Sequence, residues 1–249
     1  MLFPLRDFIP TRRAPVVNVA IIIGCALVFL YQLALGEGME SFFRAAGFIP
    51  ARLFDSLPES AMPWPDYGVV GNLVTVVTSM FMHGGWLHII GNMWFLFVFG
   101  DNIEDALGHV RYLLFYLGGG AAATLAHAVT NWSSPIPTVG ASGAIAAVLG
   151  AYLVWYPHSR VHTLVFLGFF FTMADLPAVV FLGFWFILQF FQGTLSLAAS
   201  PVSVGVAWFA HVGGFVFGFF VARWLLRSAR VRPLAPPVRV RSRDQFGRW

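Results

Sequence analysis

The sequence predicts an all-α membrane protein, a bundle of six transmembrane helices in which the fourth is short and begins partway through the bilayer. Three observations carry this. Of 249 residues, 58% are hydrophobic and only 10% charged, with a mean hydropathy of +0.76, whereas a soluble domain carries about a quarter charged residues. Six stretches are apolar enough to be cut as spans, each judged against the roughly 20 residues that cross about 30 Å of hydrocarbon. The basic residues number fifteen, are all Arg, and eight of them lie from Arg223 onward, so the net charge of +4 belongs to a tail and does not mark a nucleic-acid face.

The six stretches are Val16–Leu35, Leu87–Glu104, Tyr112–Thr130, Ser142–Tyr156, Leu176–Gly193 and Gly205–Leu226. They divide the chain into an N-terminal cytoplasmic segment over 1–15, a membrane domain over 16–226 and a basic, disordered cytoplasmic tail over 227–249. A long first loop over 36–86 holds several Pro residues and five of the eleven acidic ones. The run 157–193 is apolar for longer than one helix requires, and reads either as one span plus an interfacial segment or as two spans. The first span follows Arg12 and Arg13, but its apolar run is long for a signal peptide and no A-x-A site follows, so it reads as retained.

Six spans put both termini on one side. That side collects Arg6, Arg12, Arg13, Arg111, Arg160 and the tail, against Arg44 and Arg52 opposite, so the termini are expected in the cytoplasm. A basic set without Lys, on a minimal six-span core, points to a prokaryotic plasma membrane. The single cysteine, Cys25, excludes an intramolecular disulfide and reads as a small apolar filler.

Polar side chains inside a membrane are costly and are functional candidates by default. The segment from Ser142 rises only about 22 Å, so if it ends at the inner face Ser142 lies about 8 Å below the outer one. By the same rise His211 lies roughly 9 Å down the last span, and His88 and Asn92, four residues apart on one helical face, bracket that depth. A helix starting mid-membrane also aims free N–H groups at this layer. Small residues allow close packing of the fourth and sixth helices: Gly143, Ala147 and Ala151 on one, Gly214 and Gly218 on the other. Ser142 needs a base to become a nucleophile, and His211 is level with it; the constellation reads as acyl transfer by a Ser–His pair.

These residues sit in motifs. Gly140-Ala141-Ser142-Gly143, Ala210-His211-Val212-Gly213-Gly214, the run from His83 through His88 to Asn92, and Glu104-x-x-x-Gly108-x-x-Arg111 together resemble the rhomboid intramembrane serine proteases from about Thr78 to Leu226. The resemblance implies a Ser142–His211 dyad without an acidic third member and an oxyanion hole from His88, Asn92 and the Ser142 backbone N–H. It also implies Gly140 and Gly143 as supporting loop residues, and Trp185 and Gln189 on the fifth helix as part of a lateral substrate gate. No metal or cofactor is implied, and the expected partners are single-span transmembrane substrates and the lipid bilayer. Two departures stand out: Ala146 occupies the place where many members carry an aromatic that stacks on the histidine, and the first loop lacks the Trp-Arg pair of some members.

The alternatives are specific. Ser142 by itself could be a helix N-cap, His211 an interhelical donor and Asn92 helix glue; His127 approaches the outer layer and is a rival base. His83 reads as structural, His109, His158 and His162 as interfacial, and the Phe-rich run 166–171 as lipid contact. A zinc protease would need H-E-x-x-H, and an aspartyl protease two carboxylates at one depth, but Asp101, Glu104, Asp105 and Asp175 all plot near the cytoplasmic ends of spans. A catalytically inactive rhomboid-like protein that binds transmembrane helices is the rival function, and a channel or transporter a weaker one.

Overall fold

The computed structural model describes residues 2–54, 68–198, 207–228, 230, 231 and 233. The expected start of the last span at Gly205 and most of the basic tail lie outside them. The described chain forms helices α1 (Val16–Ala34), α2 (Met39–Ala46), α3 (Pro50–Phe54), α4 (Gly68–Thr78), α5 (Trp86–Leu107), α6 (His109–Thr130), α7 (Ser142–Trp155), α8 (Ala178–Ala198) and α9 (Trp208–Arg227), with strands β1 (Leu2–Asp7), β2 (Arg160–Leu167) and β3 (Phe170–Pro177).

All six expected helices form, with ends within a few residues of the apolar runs. Among the described residues, α1, α6, α8 and α9 are each long and apolar enough to cross a membrane. Helix α5 qualifies together with the helical stretch Val70–Phe81 before it, from which it turns through 83°. By length and apolarity the count is therefore four spans, or five with the bent pair, in a multi-pass membrane protein. Helix α7 has 14 residues and rises only about 21 Å.

Helix α7 sits at the centre, against α5, α6, α8 and α9, with every residue from Gly143 to Tyr152 buried. Its seam with α9 is backbone on backbone. A Cβ on Gly214 would meet the Gly143 carbonyl oxygen at 2.0 Å, and one on Gly218 the Ala147 oxygen at 1.9 Å. Only hydrogen fits at these two positions, which is how small residues draw membrane helices together where no hydrophobic drive exists between them.

The end of the bundle where α1 starts and α5 finishes is tied by carboxylates. Helix α1 has no side-chain cap of its own; instead Glu104 of α5 accepts the backbone N–H groups of Val17 at 2.9 Å and Asn18 at 2.7 Å, satisfying orphan donors with a negative charge at the positive end of the helix. Asp105 accepts the backbone N–H groups of Arg12 and Arg13 and the Arg12 guanidinium. Gly108, at φ 78°, turns α5 into α6. This accounts for Glu104 and Gly108 of that motif as a structural joint, while Arg111 reaches the Arg230 carbonyl at 3.4 Å.

The run 157–193 holds one helix and a β-hairpin, so it supplies a single span. Strands β2 and β3 pair antiparallel across a turn at Gly168, and β1 pairs antiparallel with β2 to give the order β1-β2-β3. The bundle class stands, with this small sheet added to it. The N-terminal segment is thereby built into the domain: the Trp94 indole N–H donates to the Pro4 carbonyl at 2.6 Å, and Phe3 stacks on Trp94. At the hairpin base His162 lies opposite Asp175 and meets its carboxylate at 2.7 Å, while Phe169, Phe170 and Phe171 at the tip are exposed.

Candidate active site

Four elements converge on the start of α7. Ser142 is its first helical residue. The preceding loop is pinned by the Gly140 N–H donating to the Ser79 carbonyl at 2.9 Å, and Gly140 itself has φ 132°, which a side chain would strain. A Cβ there would also fall 2.7 Å from His88 Nε2, so glycine leaves the space between this loop and the imidazole open.

Helix α9 brings His211 down against the serine, with Nε2 2.7 Å from Ser142 Oγ. This proximity follows from the glycine seam, because Gly214, one turn beyond His211, lets α9 lie on the Gly143 backbone. The other imidazole nitrogen, Nδ1, is 2.6 Å from Gln189 Oε1 on α8. Both His211 and Gln189 are buried. Trp185, one turn before Gln189, lies against the imidazole with ring centroids 6.0 Å apart and an interplanar angle of 35°, and Trp208 meets it edge-on. Ala146 is fully buried, and its methyl lies 3.3 Å from where a Gly214 Cβ would stand; no ring from α7 reaches the histidine, and the aromatic contact comes from α8.

Helix α5 contributes donors. The Gly84 N–H donates to His88 Nδ1 at 3.3 Å, so a neutral His88 carries its proton on Nε2, the nitrogen that faces Gly140. Asn92 Nδ2 is buried and has no hydrogen-bond partner, and it too lies on the Gly140 side, 3.7 Å from that hypothetical Cβ. With the first N–H groups of α7, which have no acceptor within the helix, these are donors turned toward one place without an acceptor there. Such an array suits a developing oxyanion. Gly143 closes the other side, since a Cβ on it would strike the Ala123 methyl at 2.5 Å, and Ser142, Gly140, Thr138 and Ala210 line a small cavity at the loop.

The remaining histidines have other partners. His127 Nδ1 accepts from the Asn131 amide at 3.3 Å near the end of α6. His83 is buried with its ring edge-on to His88 and its backbone N–H bonded to Gln32, and His109 meets Glu104 at the junction of α5 and α6. Sequence reasoning did not identify the contact between Gln189 and His211, nor the placing of Trp185 and Trp208 on the imidazole. The signal for the first was a Gln four residues after Trp185, on a helix that also carries Gln192.

The sequence profile of the Rhomboid domain matches residues 70–228. The chain belongs to the rhomboid family. It is 36% identical over 109 residues to YdcA of Bacillus subtilis, named a candidate rhomboid protease, covering 41% of this chain and 54% of that protein. Similarity to Rhomboid-like protease 2 of Toxoplasma gondii is 24% over 198 residues, 76% of this chain and 62% of that one. For RHOMBOID-like protein 5 of Arabidopsis thaliana it is 27% over 156 residues, 61% and 43% of the two chains. The chain thus spans about half the length of these relatives. The rhomboid region begins at α4 and runs through α9, so it contains Ser142, His211, His88, Asn92 and Gln189, and leaves β1 and α1 to α3 outside.

Proposed function

We propose that this rhomboid-family chain is an intramembrane serine endopeptidase that cleaves peptide bonds in or near the transmembrane segments of single-span membrane proteins. The observation that carries the reading is the 2.7 Å contact between Ser142 Oγ and His211 Nε2, beside donors that have no acceptor of their own. His211 Nε2 takes the serine proton as Oγ forms a bond to the scissile carbonyl carbon. The carbonyl oxygen becomes an oxyanion held by His88 Nε2–H, Asn92 Nδ2–H and the Ser142 backbone N–H. Collapse breaks the C–N bond, the departing amine takes the proton from the imidazolium, and an acyl ester remains on Ser142. Water, deprotonated by His211, attacks the ester and restores the serine hydroxyl.

The Arg distribution supports an orientation with both termini in the cytoplasm of a prokaryotic plasma membrane and the active site open to the outer face. The test is labelling of detergent-solubilised protein with a serine-directed fluorophosphonate, alongside cleavage of a single-span reporter. Labelling and cleavage that require Ser142 and His211 and survive His127→Ala are the expected result. Absence of both from the wild type, where an active rhomboid control reacts, would favour a helix-binding relative without catalysis.

A further inference from the structure

Serine and base are two of three members of a hydrogen-bonded line. Gln189 Oε1 lies 2.6 Å from His211 Nδ1, and His211 Nε2 lies 2.7 Å from Ser142 Oγ. An amide oxygen only accepts, so the contact requires the proton on Nδ1, and a neutral imidazole with Nδ1–H has its lone pair on Nε2. That lone pair is what the serine hydroxyl needs. An imidazole with the opposite tautomer presents N–H to Ser142 and takes no proton from it.

We infer that Gln189 is a positioning residue for His211, selecting the tautomer and ring orientation in which Nε2 accepts the serine proton. The role rests on the Ser142–His211 reading and deepens it. Gln189 is buried and comes from α8, a helix that carries neither Ser142 nor His211. Trp185 from the same face of α8 rests on the ring, and Trp185 and Phe186 both pack on Phe215, one turn beyond His211. Helix α8 thus holds the imidazole at its face and at Nδ1, while Ala146 on α7 supplies no ring. A neutral amide does what a carboxylate does in soluble triads, without a charge in a place where a charge is expensive to bury. The line is complete only while α8 lies packed against α9, so the competence of the serine depends on a third helix.

The test reads the tautomer directly and separately from turnover. Protein labelled with 15N-histidine, in wild type and Gln189→Met, is examined by NMR at a pH where the ring is neutral, with His211→Asn used to assign the His211 signals. The expected result is a protonated Nδ1 and an unprotonated Nε2 in wild type, and a shift of the proton toward Nε2 in Gln189→Met. Reporter cleavage by Gln189→Met falls on the order of 10²-fold in kcat with KM within about 2-fold, and Gln189→Glu, which restores an acceptor, recovers both the tautomer and most of the kcat. An active wild type with its proton on Nε2, a measurement that needs no variant, overturns the role. So does a folded Gln189→Met with unchanged tautomer and kcat. A wild type that neither labels with fluorophosphonate nor cleaves removes the reaction itself, and this role with it.

Discussion

The bundle contains two polar clusters, one at each end, and they are built on opposite terms. At the Glu104 end the carboxylates are saturated: Glu104 receives two backbone N–H groups and meets His109, and Asp105 receives two backbone N–H groups and a guanidinium. At the Ser142 end, donors are left without acceptors: Asn92 Nδ2 is buried and unpartnered, and the protonated His88 nitrogen faces the open space at Gly140. A buried donor without a partner costs about 1–3 kcal/mol, and a stable fold accepts that where a reaction uses the donor. In these two clusters the satisfied carboxylates serve architecture and the unpartnered donors face the candidate site, although buried polar atoms without a partner also occur at His83, Asn102 and Tyr116.

The largest test of this contrast is removal of the nucleophile or its base. Ser142→Ala and His211→Ala should each lower reporter cleavage by roughly 10⁴-fold or more, with unfolding in detergent little changed; retained cleavage in purified protein would sink the assignment. Next is Asn92→Ala, expected to lose about 10²- to 10³-fold in kcat while leaving stability equal or higher, because the change deletes an unpaired buried donor. A loss of stability there would move Asn92 to the architectural side of the comparison.

The Glu104 cluster should respond in the reverse sense. Glu104→Ala strips the N-terminus of α1 of its acceptor and should lower unfolding stability by about 2–4 kcal/mol, with kcat of the remaining folded protein close to wild type. Equal stability of variant and wild type, measured by denaturant titration in one detergent, would refute the joint.

The smallest effect concerns Asp7 in β1, whose carboxyl is pushed up to about 7 by burial, against the hydrogen bond from Tyr152 that lowers it, with Asp101 adding repulsion. The folded state then binds the Asp7 proton more tightly than the unfolded chain does. Its stabilising contribution is present at low pH and is lost as pH rises from about 4 to about 7, at about 1 kcal/mol per pH unit. Asp7→Asn should flatten that part of the stability profile, and an unchanged slope would show that another group sets it.

The six main helices were legible because each is an apolar run, whereas α2, α3 and α4 lie in the stretch read as the first loop; the two helices that carry Ser142 and His211 also display their small residues at four-residue spacing. Ser142, His211, His88 and Asn92 were legible because a rise of 1.5 Å per residue converts sequence position into depth. The hairpin was not, since an apolar run in the middle of a membrane protein has no period that separates strand from helix. Its third strand, moreover, comes from the other end of the chain, with Leu2 paired to Val165.

The sequence by itself determined the membrane class, the positions of the six long apolar helices and the rise along them at which Ser142, His211, His88 and Asn92 are carried, because composition and helical rise are properties of the chain alone. The tertiary structure alone decided that α8 turns Gln189 onto His211, that the ring beside His211 comes from Trp185 of α8 and not from α7, and that the N-terminus pairs with β2. Depth is set along one helix axis, but which side chains touch depends on the rotation and crossing of helices about one another, and that is settled only when glycine seams and side-chain volumes pack together.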